Sequence, residues 1–344
     1  MKYTYLGKTG FKVSRICLGT MNFGMPLATG QRTDEKEAFR IMDMALDYGI
    51  NFFDTANVYG DTGPGEATGQ HGRTEEIIGH WFAQGGGRRE KVTLTSKVSF
   101  HMYAEKDENL DGPNNEPGMS KWKIRRHLEG SLKRLGTDHI ELYQIHYYGG
   151  HENWEEIWDG FEEAQAQGKI DYVGSCNSTV GQIVRGQQEA KRRHHLGLVS
   201  EQHKYNLFTR TPELALIPAA HDLGMGVLCW SPLESGWLGN NALAPNKVSR
   251  IHVAHRERSD KLIAQLTAYK KMCDELGETP AHVALAWLIH NPMITAPLVG
   301  IATAEQMANV AHAAEIELPE DFLKQLDVIF PGPDVSDHDA FAGW

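Results

Sequence analysis

The chain has 344 residues, 41% of them hydrophobic and 23% charged, the composition of an ordinary folded protein in water. A net charge of −11, from 34 basic and 45 acidic residues, with no basic face in view, argues against nucleic acid as a partner. No apolar run approaches the roughly 20 residues of a membrane-spanning helix. The opening MKYTYLGKTGFKVSR lacks an apolar signal core, so the expected location is the cytoplasm and no membrane partner is expected. Cys17, Cys176, Cys229 and Cys273 lie far apart and form no C-x-x-C pair, which points away from disulfides and from a zinc site built on cysteine. No metal is expected.

After hairpin-like opening residues, one phrase repeats: a short apolar run, then an amphipathic segment. The runs are RICLGT (15–20), INFFDT (50–55), KVTLTSKV (91–98), HIELYQIH (139–146), KIDYVGSC (169–176), LGLVSEQ (196–202), GMGVLCW (224–230) and ITAPLVG (294–300), eight in all. Between them the period is helical. Ile124, Leu128, Leu132 and Leu135 form a stripe opened by Ser120 and closed by Gly136. Trp154, Ile157, Trp158, Phe161 and Ala164 form another, a core face with Gly168 as its stop. Thr303 with Gln306 three residues on predicts a capping box.

Strands alternating with helices imply parallel pairing. The reading is a (β/α)8 TIM barrel with an N-terminal β-hairpin and long loops at its C-terminal face. A doubly wound sheet is the alternative, but its G-x-G-x-x-G is absent: the first run ends in GTMNFG. The glycine-rich 60–72 is read as a loop at the barrel mouth. No Pro/Ser-rich linker divides the chain, so one domain over 1–344 is expected.

Barrel chemistry sits at the carboxyl ends of the strands. Asp54 ends the second run and Tyr59 follows in its loop. Lys97 ends the third and His146 the fourth. A phenol titrates near ~10 and holds its proton tightly. A neighbouring ammonium favours the phenolate, and lowering the phenol by roughly three units takes about 4 kcal/mol. A carboxylate keeps the ammonium charged, and an imidazole can hydrogen-bond a carbonyl oxygen. Such a set protonates an oxygen as negative charge builds on it. The hydride that completes a carbonyl reduction must come from a nicotinamide cofactor.

These stretches resemble the aldo-keto reductases. LGKTGFKVSRICLGTMNFG, GINFFDTANVYG, LTSKV, DHIELYQIH, GKIDYVGSCN, VSEQHKYNLF, LCWSPLESGWLG and PLVGIATAEQMANV occur in that family's order over nearly the whole chain. The resemblance implies the barrel and the tetrad Asp54, Tyr59, Lys97 and His146, with Tyr59 as proton donor. It implies cofactor contacts at Gly19, Thr20, Met21 and Asp54 and carboxamide contacts at Asn177 and Gln202. Cys176 stands where the family commonly has Ser. Trp230 is the implied stacking aromatic, and Ser231, Leu233 and Gly236 the pyrophosphate lining. Gly300, Thr303, Gln306 and Asn309 match the adenosine end, where free backbone N–H groups at a helix start attract phosphate.

NADPH is the expected cofactor, but the position that often carries Arg or Lys for its 2′-phosphate is Ala302, which leaves NADH possible. Lys247, Arg250, Arg256 and Arg258 are an alternative source of charge. The implied partner is a small-molecule carbonyl substrate, with Phe100, Tyr147, Trp237 and Trp344 as candidate walls. The oligomeric state stays open between monomer and homo-oligomer. The alternatives to a carbonyl reductase are a nucleotide-sugar reductase or oxidising dehydrogenase, and a cofactor-binding regulatory subunit like the potassium-channel β subunits.

Overall fold

Tyr3–Tyr5 (β1) and Lys12–Ser14 (β2) pair antiparallel at the start of the chain, with Tyr3 opposite Ser14. The structure, a computed structural model, describes residues 1–24, 33–60, 71–102, 117–148, 153–244 and 258–333. Eight parallel strands follow the hairpin: Cys17–Gly19 (β3), Phe52–Asp54 (β4), Thr93–Val98 (β5), Ile140–Ile145 (β6), Ile170–Cys176 (β7), Leu198–Lys204 (β8), Gly226–Trp230 (β9) and Ala296–Val299 (β10). They close into a barrel in the order β10-β3-β4-β5-β6-β7-β8-β9. Every expected run supplies one strand. Both faces of these strands are covered, so β5 and β6 are buried at each residue.

The helices wrap the outside: Glu35–Asp47 (α1), Arg73–Ala83 (α2), Lys121–Leu135 (α3), Trp154–Ala166 (α4), Val180–Arg192 (α5), Leu216–Asp222 (α6), Asp260–Leu276 (α7), Pro280–His290 (α8), Gln306–Ala313 (α9) and Glu320–Ile329 (α10). Helix α3 has the expected ends: the Ser120 hydroxyl accepts from the Lys123 N–H at 3.2 Å, and Gly136 takes a left-handed φ of 61°. The aromatic stripe of α4 is buried core, as expected. Among the described residues no helix is long and apolar enough to cross a membrane, and all four cysteines are free and buried.

The capping box at Thr303 is a correction. Helix α9 begins at Gln306 and has no side-chain cap. Only the return half forms: Gln306 Oε1 accepts from the N–H groups of Ala302 (2.8 Å) and Thr303 (3.4 Å). Residues 303–305 make a tighter turn, with the Gln306 N–H on the Thr303 carbonyl at 3.1 Å, and this delays the helix.

Inside the barrel, Cys17, Phe52, Leu142, Val199, Leu228, Ala296 and Leu298 pack with Leu6 and Val13 from the hairpin. The hairpin therefore closes the floor. Side chains alternate along a strand, so the inward side that holds Phe52 next holds Asp54, Leu142 is followed by Gln144 and His146, and Leu228 by Trp230. An apolar floor and a polar upper layer follow from that period. Most of 60–72 and of 99–119, together with 245–257 and the tail with Trp344, lies outside the described residues.

Helices α2 and α3 cross at Gly79, where an added Cβ would stand 2.2 Å from the Arg134 carbonyl oxygen and 2.9 Å from the Leu135 carbonyl carbon. Neither backbone atom can rotate away. Gly79→Ala should lower unfolding free energy by about 1–3 kcal/mol, the range for overpacking. A denaturant midpoint equal to wild type would contradict this packing.

Candidate active site

Lys97 sits at the end of β5, fully buried, and its ammonium has three protons to place. All three are taken: by Asp54 Oδ1 at 2.5 Å, the Thr55 carbonyl at 2.8 Å and the Tyr59 phenol oxygen at 3.2 Å. Parallel register sets this up, because β4 lies beside β5 with Asp54 opposite Thr95, two residues below Lys97. The second carboxylate oxygen of Asp54 accepts from Gln202 Nε2 at 2.9 Å and Gln144 Nε2 at 3.3 Å. Gln144 is held in turn by Thr95 (2.7 Å) and by the Cys176 thiol (3.8 Å). His146 follows β6, its ring 5.8 Å from that of Tyr59 and nearly perpendicular at 84°. The four expected residues thus meet on one rim.

Burial pushes the Tyr59 phenol up to about 12; Lys97 pulls it down without cancelling that, and Asp54 pushes it up again. This corrects the expectation of a phenol lowered by its ammonium. Lys97 acts in the expected direction, and more strongly than Asp54 opposes it, but burial outweighs it. Burial disfavours the charged form of Lys97, but Asp54, Tyr59 and Cys176 outweigh it and hold the ammonium above its ordinary value. Burial, then Lys97, drives His146 well below the usual histidine range, so its imidazole is neutral. His146 Nδ1 has no hydrogen-bond partner among the described residues.

The candidate cofactor residues divide into groups. The Thr20 hydroxyl and N–H both bond the Asp54 carbonyl, at 2.8 and 3.0 Å, which makes Thr20 a support of the rim. Met21 is exposed beside it. Gly19 and Gly300 face each other across β3 and β10: a Cβ on Gly19 would lie 3.6 Å from the Gly300 nitrogen. Cys176 is buried against Gln144, and burial holds its thiol protonated. Ser175 does not compensate for it, since its hydroxyl is bound to Glu201 at 2.5 Å. Exposed Asn177 accepts from Trp230 Nε1 at 2.9 Å and donates to the His146 carbonyl at 3.2 Å, which ties three strand ends together.

Beyond Trp230 the backbone turns left-handed at Ser231 (φ 56°), Glu234 (φ 47°), Ser235 (φ 54°) and Gly236 (φ 102°). Such turns gather N–H groups into anion-binding concavities. Asn206 Nδ2 holds this one through the Ser231 carbonyl (2.8 Å) and Glu234 (2.7 Å), and Lys204 pairs with Glu234 at 2.8 Å. Leu233 is half buried against the core.

At the start of α9, Thr303, Gln306 and Asn309 are exposed on one surface. The N–H groups expected to be free there are not. Gln306 takes those of Ala302 and Thr303, and Glu37 Oε1 takes that of Ala304 at 2.6 Å. Among the candidate walls, Phe100 stands edge-on to His146 at 4.9 Å and stacks on exposed Tyr147 at 5.9 Å. Trp237 is a correction: it is 1% exposed and packs with Ala242, Leu262 and Leu266, because the loop after Gly236 folds it inward. Of the basic residues 247–258 only Arg258 is described, bonded to the Leu243 carbonyl at 3.3 Å.

The sequence pattern of the Aldo/keto reductase family matches residues 15–330. The chain belongs to the aldo/keto reductase family. It is 52% identical to the "Uncharacterized oxidoreductase YrpG" of Bacillus subtilis (strain 168), over 99% of this chain and all of that one. It is 30% identical to a "Probable voltage-gated potassium channel subunit beta" of Arabidopsis thaliana, over 92% of each chain. It is 28% identical to the "Versiconal hemiacetal acetate reductase" of Aspergillus parasiticus, over 95% of this chain and 96% of that one. Membership of this family makes the protein an oxidoreductase.

Sequence reasoning had passed over several residues of this aldo/keto reductase. Gln144 was legible as the inward neighbour two positions before His146. Lys204, Asn206 and Glu234 were not, because their contact joins β8 to a loop some 30 residues on. The buried pair also makes a stability prediction. Lys97→Met strands the Asp54 carboxylate and should cost about 3–5 kcal/mol. Adding Asp54→Asn should recover part of that loss in a double-mutant cycle measured by denaturation. Strictly additive losses would mean that the two groups do not stabilise each other.

Proposed function

We propose that this aldo/keto reductase reduces an aldehyde, ketone or sugar-like carbonyl to an alcohol, with a nicotinamide nucleotide as hydride source and Tyr59 as proton donor. One observation carries this reading: a buried ammonium 3.2 Å from a phenol, with the phenol beside a neutral imidazole at the open end of the barrel. The donor set around Trp230 fits a nicotinamide nucleotide. Asn177 and Gln202 offer amides for a carboxamide, Trp230 a half-exposed aromatic face, and 231–236 a left-handed turn for a pyrophosphate, although its Glu234 and Gly236 N–H groups bond carbonyls within the turn. The start of α9 fits a phosphate less well, since its N–H groups are already bonded.

When bound, the nucleotide supplies the hydride that the carbonyl carbon accepts. The electron pair of the C=O bond moves to oxygen, Tyr59 gives that oxygen its proton, and the new phenolate stands against Lys97. His146, neutral at working pH, donates a hydrogen bond to the same oxygen and orients it. A phenol raised to about 12 is fully protonated at neutral pH, so the proton donor is always loaded. The A. parasiticus relative, named as a reductase, supports reduction as the direction.

Tyr59→Phe keeps the ring and removes the acid. Turnover of an activated aromatic aldehyde with NADPH should fall by about 10²–10⁴-fold while nucleotide binding stays near wild type. A variant that keeps most of its rate would move the proton donor elsewhere. The pH profile gives a second check. Loss of the reductive rate should require deprotonation of Tyr59, so kcat/KM should show no basic limb below about pH 10. A limb near pH 7–8 would mean that Tyr59 is not the titrating acid.

Ala302 offers no charge to a 2′-phosphate. Ala302→Arg should raise NADPH affinity by about ten- to a hundredfold and leave NADH nearly unchanged, as read by tryptophan fluorescence titration. Equal gains for both nucleotides would place the 2′-phosphate away from this position.

A further inference from the structure

Away from the barrel mouth, three side chains converge where the loop before α8 meets the last turn of α9. Glu278 and His282 are four residues apart, and the Thr279 hydroxyl between them accepts from the His282 N–H at 3.3 Å, fixing the start of α8. His282 Nδ1 lies 2.8 Å from Glu278 Oε2, and His312 Nε2 lies 2.9 Å from Oε1 and 3.2 Å from Oε2. The two imidazole rings meet nearly edge to face with centroids 4.9 Å apart. One ligand atom from each residue falls within 4.8 Å of the other two.

A zinc ion bonds histidine nitrogen and carboxylate oxygen at 2.0–2.2 Å, so the edges of its tetrahedron measure about 3.3–3.5 Å. The nitrogen-to-oxygen distances to Oε2, 2.8 and 3.2 Å, are shorter than those edges by tenths of an ångström, which small outward shifts of the imidazoles open. The third edge closes by a small turn of His312, whose side chain is 47% exposed. The donors are also right in charge. Among the described residues the Glu278 carboxylate pairs with these two histidines and with no lysine or arginine. One carboxylate and two imidazoles, drawn from two elements and open to water on one side, lack only a cation.

We propose that Glu278, His282 and His312 bind a divalent transition-metal ion, zinc foremost, with water in the fourth position. The ion would tie the loop before α8 to the end of α9, the helix that opens with Gln306. Cysteine spacing could not reveal such a site, because its ligands are a loop glutamate and two histidines from separate helices.

The test uses the untagged full chain, stripped with a chelator and titrated with zinc chloride in a calorimeter. Wild type should take up one ion per chain with a dissociation constant in the low micromolar range or tighter, and should melt at a higher temperature when loaded. His312→Ala removes a half-exposed side chain, and Glu278→Gln keeps its shape and a hydrogen bond while losing the charge. Each should weaken zinc binding by about tenfold or more and abolish the rise in melting temperature. Saturation only above about 100 μM in wild type, or equal binding by both variants, would overturn the site.

Discussion

A single ammonium with no contact to water dictates the upper half of this barrel. Lys97 cannot be buried charged unless every proton has an acceptor and the charge has a counterion. Asp54, the Thr55 carbonyl and Tyr59 meet that demand. Asp54 then carries a demand of its own, since its second oxygen is also buried, and Gln202 and Gln144 answer it from across the barrel. Gln144 brings in Thr95 and Cys176. The polar layer is thus one chain of obligations that begins at one nitrogen. Beneath it Leu6 and Val13 of the hairpin pack into the apolar floor.

The same arrangement sets the proton chemistry. An isolated ammonium 3.2 Å from a phenol would acidify it strongly, but this one is paired at 2.5 Å. Burial, only partly offset by Lys97, leaves Tyr59 a firm holder of its proton in the resting site. In the proposed reaction, that proton leaves only as a substrate oxygen becomes negative enough to take it. The phenolate then forms in contact with Lys97, whose position is already fixed, so no dipole has to reorganise at that moment. Lys97 therefore offsets part of the effect of burial on Tyr59 at rest and is already in place to hold the charge that remains after transfer.

The eight strands were legible because each is a short apolar run between helical stripes, and the tetrad because barrel chemistry gathers at strand ends. Asp54, Lys97 and His146 needed only that rule. What the chain did not reveal depends on distances between elements. Tyr59 carries no sequence mark of how far its phenol is withdrawn from water, and that withdrawal decided the direction of its shift. Trp237 looked like a wall by its place after Gly236, yet a local turn sends it into a separate apolar cluster. Thr303 and Gln306 had the spacing of a capping box, but a tight turn intervened and only one of the two bonds formed.

The start of α9 shows how a helix end can lose its free N–H groups to the protein itself. A helix start attracts phosphate through free N–H groups and positive potential. Here a carboxylate already uses that potential: Glu37 accepts from Ala304, while its other oxygen binds Arg40 at 2.7 Å. Arg40 in turn holds Glu305, also at 2.7 Å. A phosphate reaching this helix would have to displace an anion held by both a backbone donor and an arginine, or rely on side chains beyond it. Ala302, at the position best placed to help, offers only a methyl group. Arg40, held by both Glu37 and Glu305, is therefore a cation already spent on protein carboxylates, and an anion reaching it would compete with two partners rather than meet a free charge.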